Sequence, residues 1–142
     1  MDKDIKQEPK IGIGVMIIKD EKVLLGKRKN SHGAGEYAFP GGHLEYKESF
    51  EECAKREVME ETSISIKNIR FQYLRNVLEY LPKHYVHINL LADWESGEPK
   101  VMEPGKSESW EWYDLESLPS LLFITTPFAI EAYKTKKNYF DT

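Results

Sequence analysis

The sequence predicts one α+β domain with mixed α/β layering, and three observations carry that expectation. A β-branched apolar run at residues 11–18 and later alternating segments read as strands. Ser49, with Glu52 three residues on, forms a capping box that opens a helix between them. Pro127 suits the first turn of a second, C-terminal helix. No repeat, low-complexity tract or Gly/Ser linker divides the chain, so a single domain spans 1–142, with 1–9 expected to be flexible.

The elements follow in order. Residues 11–18, IGIGVMII, form a buried strand; Asp20-Glu21-Lys22 is a polar turn, and Val23-Leu24-Leu25 returns as its hairpin partner. Residues 30–36, NSHGAGE, make a glycine-bearing loop, and Pro40-Gly41-Gly42 is a second break whose glycines permit close backbone approach. The helix runs from 49 to about 62, with Phe50, Ala54 and Val58 repeating at helical spacing. Strands resume with Ile64-Ser65-Ile66 leading to 71–77, then 84–94. Residues 95–106 hold two glycines and two prolines and read as a loop, 109–113 (SWEWY) as a short strand, and the last helix ends near Lys136.

Composition narrows the function. With 20 Lys and Arg against 24 Asp and Glu, the formal charge is −4, which repels a nucleic-acid backbone and argues against a polymer partner. The single cysteine, Cys53, makes no intramolecular disulfide and no CxxC zinc pair; at its helical position it is a small buried hydrophobe. The charged MDKDIKQEPK start lacks a signal core, and no apolar run approaches the ~18–20 residues that span a bilayer. The expectation is a soluble, cytoplasmic protein with no membrane partner.

The informative segment is 42–64, GHLEYKESFEECAKREVMEETSI, with Glu45, Glu48, Glu51, Glu52, Glu57, Glu60 and Glu61. A Glu-rich helix is ordinarily just a solvated face. Here, at ~100° per residue, Glu57 and Glu61 fall within about 20° of Phe50, on the stripe that also holds Ala54. Glu60 flanks them. Carboxylates on a core-facing stripe need a cationic complement. Arg56 supplies part of it, with helical i,i+4 spacing to Glu60, but one guanidinium does not balance Glu48, Glu57, Glu60 and Glu61. Oxygen-only ligands suit Mg²⁺ or Mn²⁺, Gly41 and Gly42 offer backbone carbonyls, and such a metal favours chemistry on phosphate oxygens.

Gly42, five residues, Glu48, seven residues, Arg56-Glu57-Val58, one residue, Glu60-Glu61 resembles the Nudix box. The departure is Ser63, where the family usually has glycine; a left-handed serine there costs on the order of 1 kcal/mol. Further segments, LLGKRKNSHGAGEYAFPGGHLE, HYVHI and EPKVMEPGKSESWEWYDLESLP, look like the MutT-like branch of Nudix enzymes that hydrolyses nucleoside triphosphates and related diphosphates. The resemblance implies a Nudix α/β/α sandwich, a mixed sheet between helices with the box as loop–helix–loop. Members of that branch are commonly homodimers.

The same resemblance implies the roles. Glu57, Glu60 and Glu61 would hold Mg²⁺, for which Mn²⁺ can substitute, with the Gly42 carbonyl; Glu57 is the favoured base, and Glu48 and Arg56 orient the carboxylates. Glu108 resembles a distal acid that some members use. Arg28 and Lys27, at the end of the second strand, would meet substrate phosphates, and Gly41 and His43 lie beside the site. Tyr85, His87 and Asn89 share a strand face, with His87 where relatives place a base-facing side chain. Ala38 stands where some relatives carry a polar base contact. Phe123, Phe128, Trp110 and Trp112 are candidate pocket walls, with core packing their ordinary alternative. His32 shows no ligand spacing. The expected reaction is cleavage of the α–β phosphoanhydride of a nucleoside triphosphate, giving a monophosphate and pyrophosphate, for nucleotide-pool sanitation or dNTP balance. The alternatives are hydrolysis of another nucleoside diphosphate-linked compound, such as a nucleotide sugar, or a non-catalytic nucleotide sensor.

Overall fold

The computed structural model describes residues 7–29 and 33–142; residues 1–6, and 30–32 with His32, lie outside the described residues. The elements are β1 (Lys10–Lys19), β2 (Lys22–Arg28), β3 (Tyr37–Ala38), β4 (Gly41–His43) and α1 (Phe50–Thr62), then β5 (Ser65–Val77), β6 (Tyr85–Ser96), β7 (Ser107–Asp114), α2 (Thr126–Thr135) and β8 (Tyr139–Phe140).

β1 organises the sheet. Positive φ at Asp20 (49°) and Glu21 (66°) closes the two-residue hairpin to β2, with Ile18 opposite Val23. The other end of β1 pairs antiparallel with β4, and β1 pairs parallel with β6 from Lys10 opposite Tyr85 to Ile18 opposite Asp93. The described strands form one mixed sheet in the order β3-β2-β1-β6-β5-β8, with β4 on β1 and β7 on β2.

Alternation along β1 builds two cores. Ile13, Val15 and Ile17 face α1, where they meet Cys53, Ala54 and Val58. Met16 faces the other way and joins Tyr73, Phe140 and the α2 residues Ala129 and Ala132. Each large apolar side chain so buried contributes about 1.5–3 kcal/mol. A helix on each face makes the expected α/β/α sandwich. No helix among the described residues is long and apolar enough to cross a membrane.

Two local readings are corrected, and one strand is added. Pro40-Gly41-Gly42 is not simply a break: Gly41 and Gly42 belong to β4, because a glycine at 41 lets the chain pass where a Cβ would lie 2.2 Å from the Ile13 carbonyl oxygen. Phe50 is 45% exposed rather than core-facing, since it precedes the turn whose Cys53 and Ala54 meet the sheet. Tyr139–Phe140 adds a short strand beside β5 that two residues could not signal in the sequence.

Candidate active site

The α1 helix begins as its sequence dictates. Ser49 Oγ accepts from the Glu52 backbone N–H at 3.0 Å, and Glu52 Oε1 accepts from the Ser49 N–H at 3.1 Å. The helix ends on Ser63 in the left-handed region (φ 66°, ψ 14°), whose N–H reaches Met59 O at 3.0 Å.

Between these ends, Arg56 gathers the acidic side chains. Its Nε and Nη2 donate to Glu48 Oε2 and Oε1 at 2.6 and 3.0 Å, a bidentate pair. Nη1 donates to Glu57 Oε1 at 2.7 Å and Glu60 Oε2 at 3.3 Å, and Nη2 also reaches the His43 carbonyl oxygen at 3.2 Å. The guanidinium holds the Glu48 carboxyl down at about 2. Glu57 departs in the opposite direction: burial raises its pKa, and the Arg56 contact only partly offsets that.

Glu61 is outside the reach of Arg56. Its Oε2 accepts from the Gly41 N–H at 3.2 Å, and burial first, then the charges of Glu57 and Glu103, push its carboxyl up to about 8. Gly42 leaves the space that the Glu57 carboxylate occupies. A Cβ on it would lie 2.3 Å from Glu57 Cδ and 2.4 Å from both carboxylate oxygens. Among the described residues Glu57 Oε2 has no hydrogen-bond donor, so it keeps an open lone pair over Gly42.

A cavity of about 430 Å³ opens beside this cluster. It brings together Arg28, Ala38, Gly41, Gly42, His43, Glu61, His87 and Phe123, as well as Tyr85, Asn89 and Trp110. Glu57 stands behind Gly42, and the Glu60 side chain is 52% exposed on the outer side of the Arg56 cluster. Arg28 Cζ lies 4.1 Å from the centre of the Phe123 ring, and Tyr80 stacks on Phe123 at 6.5 Å with a 9° interplanar angle. His43 stacks on Tyr85 at 5.6 Å.

Two candidate residues lie elsewhere. Gly26 and Arg28 point into the cavity, so Lys27 between them points away. Lys27 is opposite Ser109 and Arg28 opposite Ser107, which leaves Glu108 as the extra residue of a bulge, turned to Lys27 at 3.5 Å. Of the aromatics, Trp112 packs against the α1-side core, and Phe128 against Phe140 and Arg75. The sequence reading missed Tyr80, Lys83 and Lys106, which reach the cavity from the loops before β6 and β7. Nothing periodic marks them, because each stands in a loop whose path only the folded chain fixes.

The donor set fits a hard divalent cation in kind: carboxylates and a backbone carbonyl, with more negative charge than Arg56 balances. As the side chains stand, no three His, Cys, Asp or Glu side chains among the described residues converge on one point. Arg56 draws Glu57 and Glu60 one way, while the Gly41 N–H holds Glu61 another.

A model of the NUDIX domain matches residues 8–135. The chain belongs to the NUDIX domain family. It is 35% identical over 116 residues to a Methanocaldococcus jannaschii protein named ADP-ribose pyrophosphatase, covering 81% of this chain and 68% of that one. It is 36% identical over 105 residues to the NAD-capped RNA hydrolase NudC of Photorhabdus laumondii, covering 74% of this chain but 39% of that protein. The chain thus spans about two fifths of that relative's length. A solved MutT NUDIX hydrolase from Burkholderia pseudomallei shares the fold with a TM-score of 0.83 at 33% identity, covering 88% of this chain and 98% of that one. The protein is a Nudix hydrolase, from a family that generally uses divalent metals such as Mg²⁺.

Proposed function

We propose that this Nudix hydrolase cleaves the diphosphate linkage of a nucleoside diphosphate derivative of the ADP-ribose type, releasing a nucleoside monophosphate. The observation that carries the reading is one cavity lined by Glu61, by Gly41 and Gly42 in front of Glu57, and by Arg28, Phe123 and Tyr80. The name of the Methanocaldococcus relative supports the choice of linkage.

Glu57, Glu60, Glu61 and the Gly42 carbonyl would hold Mg²⁺, which when bound lowers the pKa of water and offsets charge on phosphate oxygens. Glu57 Oε2 takes the proton of the attacking water; burial raises its basicity, and Arg56 fixes its other oxygen at 2.7 Å. Arg56 is itself held by the bidentate Glu48. Arg28 meets the diphosphate and stabilises the charge that develops on the departing phosphate. Phe123, with Arg28 over its ring and Tyr80 stacked beside it, walls the cavity where the rest of the nucleotide derivative would lie.

A second reading is supported by the three cationic side chains on the cavity, Arg28, Lys83 and Lys106: hydrolysis of a nucleoside triphosphate between its α and β phosphates. A panel of ADP-ribose, ATP, an oxidised dGTP, a UDP-sugar and NAD, each with Mg²⁺, separates the two. The expected order of kcat/KM has ADP-ribose first; a triphosphate at least tenfold better would replace the first reading by the second.

A further inference from the structure

A hydrogen-bond chain of fixed direction runs under the cavity floor. Its inner end is the Ala129 carbonyl oxygen of α2, which can only accept, so the group 3.2 Å away is the Gln72 amide nitrogen, Nε2. Met16 Sδ, another acceptor, lies 3.2 Å from the same nitrogen. The Gln72 oxygen therefore points outward and accepts from Asn89 Nδ2 at 2.6 Å. Asn89 Oδ1 in turn faces His87 Nε2 at 3.0 Å. An amide oxygen has no hydrogen to give, so His87 Nε2 carries it.

Gln72 and Asn89 are 8% and 2% exposed, so reversing either amide would strand buried donors and acceptors. Burial also keeps the imidazole neutral, with its pKa pushed down to about 4; Arg75, opposite His87 in the β5–β6 register, acts in the same direction. The other ring nitrogen, Nδ1, is then a bare acceptor, and no described residue bonds to it. Two glycines of β1 leave its surroundings open. A Cβ at Gly12 would sit 3.6 Å from Nδ1, and one at Gly14 would sit 2.3 Å from Asn89 Oδ1 and 2.9 Å from His87 Cε1.

We propose that His87 Nδ1 is the specificity-determining acceptor of the cavity, and that it selects a base whose edge carries an N–H donor, such as the exocyclic amino group of an adenine. The glycine-cleared floor suits a flat ring rather than a bulky group. Gln72 acts through Asn89 as a positioning residue. The inference rests on the nucleotide reading above.

Long-range ¹H–¹⁵N correlation of the His87 ring in the full-length protein at pH 7 tests the direction of the chain. The expected spectrum shows Nε2 protonated and Nδ1 bare; a protonated Nδ1 would overturn the proposal. In Gln72→Met the two tautomers should mix, a signature that a merely structural role for Gln72 would not produce; an unmixed Nε2–H form would remove its positioning role. The second arm compares kcat/KM for ADP-ribose and its purine-riboside analogue, which lacks only the amino group. The expected loss is about fivefold to tenfold, the worth of one neutral hydrogen bond. Equal rates would overturn the selection by His87 while leaving the hydrolase reading intact. If the loss instead follows removal of a ribose hydroxyl, base selection is overturned. Hydrolysis of neither compound removes the nucleotide reading and the selection role together, and the tautomer spectrum still reports separately on the chain.

Discussion

The acidic end of the cavity and its floor satisfy their polar groups in opposite ways. At the α1 end, Glu45, Glu48, Glu57 and Glu60 all face one guanidinium, and Glu61 leans on a single backbone N–H. Negative charge there exceeds what the protein neutralises. On the floor, Gln72, Asn89 and His87 Nε2 each find a matched partner without any net charge. The contrast assigns different work to each end. An under-neutralised cluster responds to cations and to pH, whereas a saturated neutral chain holds one geometry.

The sharpest way to break the comparison is Glu57→Gln. The substitution keeps the volume and removes the base, so kcat should fall by roughly 10²–10⁴-fold with the fold unchanged, as followed by steady-state kinetics and circular dichroism. Arg56→Ala comes next. Losing the charged hydrogen bonds to Glu48 and Glu57 should move the urea unfolding midpoint at pH 7 to lower concentration. Because Arg56 holds Glu48 down at about 2, that pair stabilises fully above the ordinary carboxylate range and weakens as pH falls toward 2. The Tm difference between wild type and Glu48→Gln should therefore shrink on acidification. A difference constant from pH 7 to pH 3 would show that the pair is not formed.

Glu61 has the reverse sign. Its folded pKa of about 8 lies above the unfolded value, so ionisation costs nothing at pH 4 and an increasing amount as pH rises toward 8. With divalent ions chelated, Glu61→Gln should raise Tm more at pH 8 than at pH 5, and millimolar Mg²⁺ should stabilise wild type more than the variant. The smallest effect belongs to Ser63, held at φ 66°. Glycine is at ease there, so Ser63→Gly should add about 1 kcal/mol, or roughly 3 °C in Tm by calorimetry, without altering turnover.

The acidic end was legible in the sequence because it is local. Ser49, Glu52, Arg56, Glu57 and Glu61 lie within one helix and its cap, and helical periodicity places them on faces before any tertiary contact forms. Even there, Phe50 was misread, because periodicity gives a direction but not where the sheet ends. The strands of the two cores were equally readable, from apolar runs and alternation. The cavity wall was not, because it is assembled from distant segments. Arg28, Tyr80 and Phe123 meet from three parts of the chain, and Lys83 and Lys106 arrive on loops. The bulge that turns Glu108 toward Lys27 depends on a register shift between β2 and β7, which neither strand shows alone. The Gln72–Asn89–His87 chain spans β5, β6 and α2, so only the folded sheet reveals it.

The most direct test is product identity from ADP-ribose and Mg²⁺ in ¹⁸O-labelled water, resolved by chromatography and mass spectrometry. Cleavage of the diphosphate by water activated at the α1 end predicts AMP and ribose 5-phosphate in equal amounts, with one ¹⁸O in a phosphate of one product and a rate that collapses in Glu57→Gln. Release of ADP and free ribose, or the same products at an unchanged rate from Glu57→Gln, would contradict it.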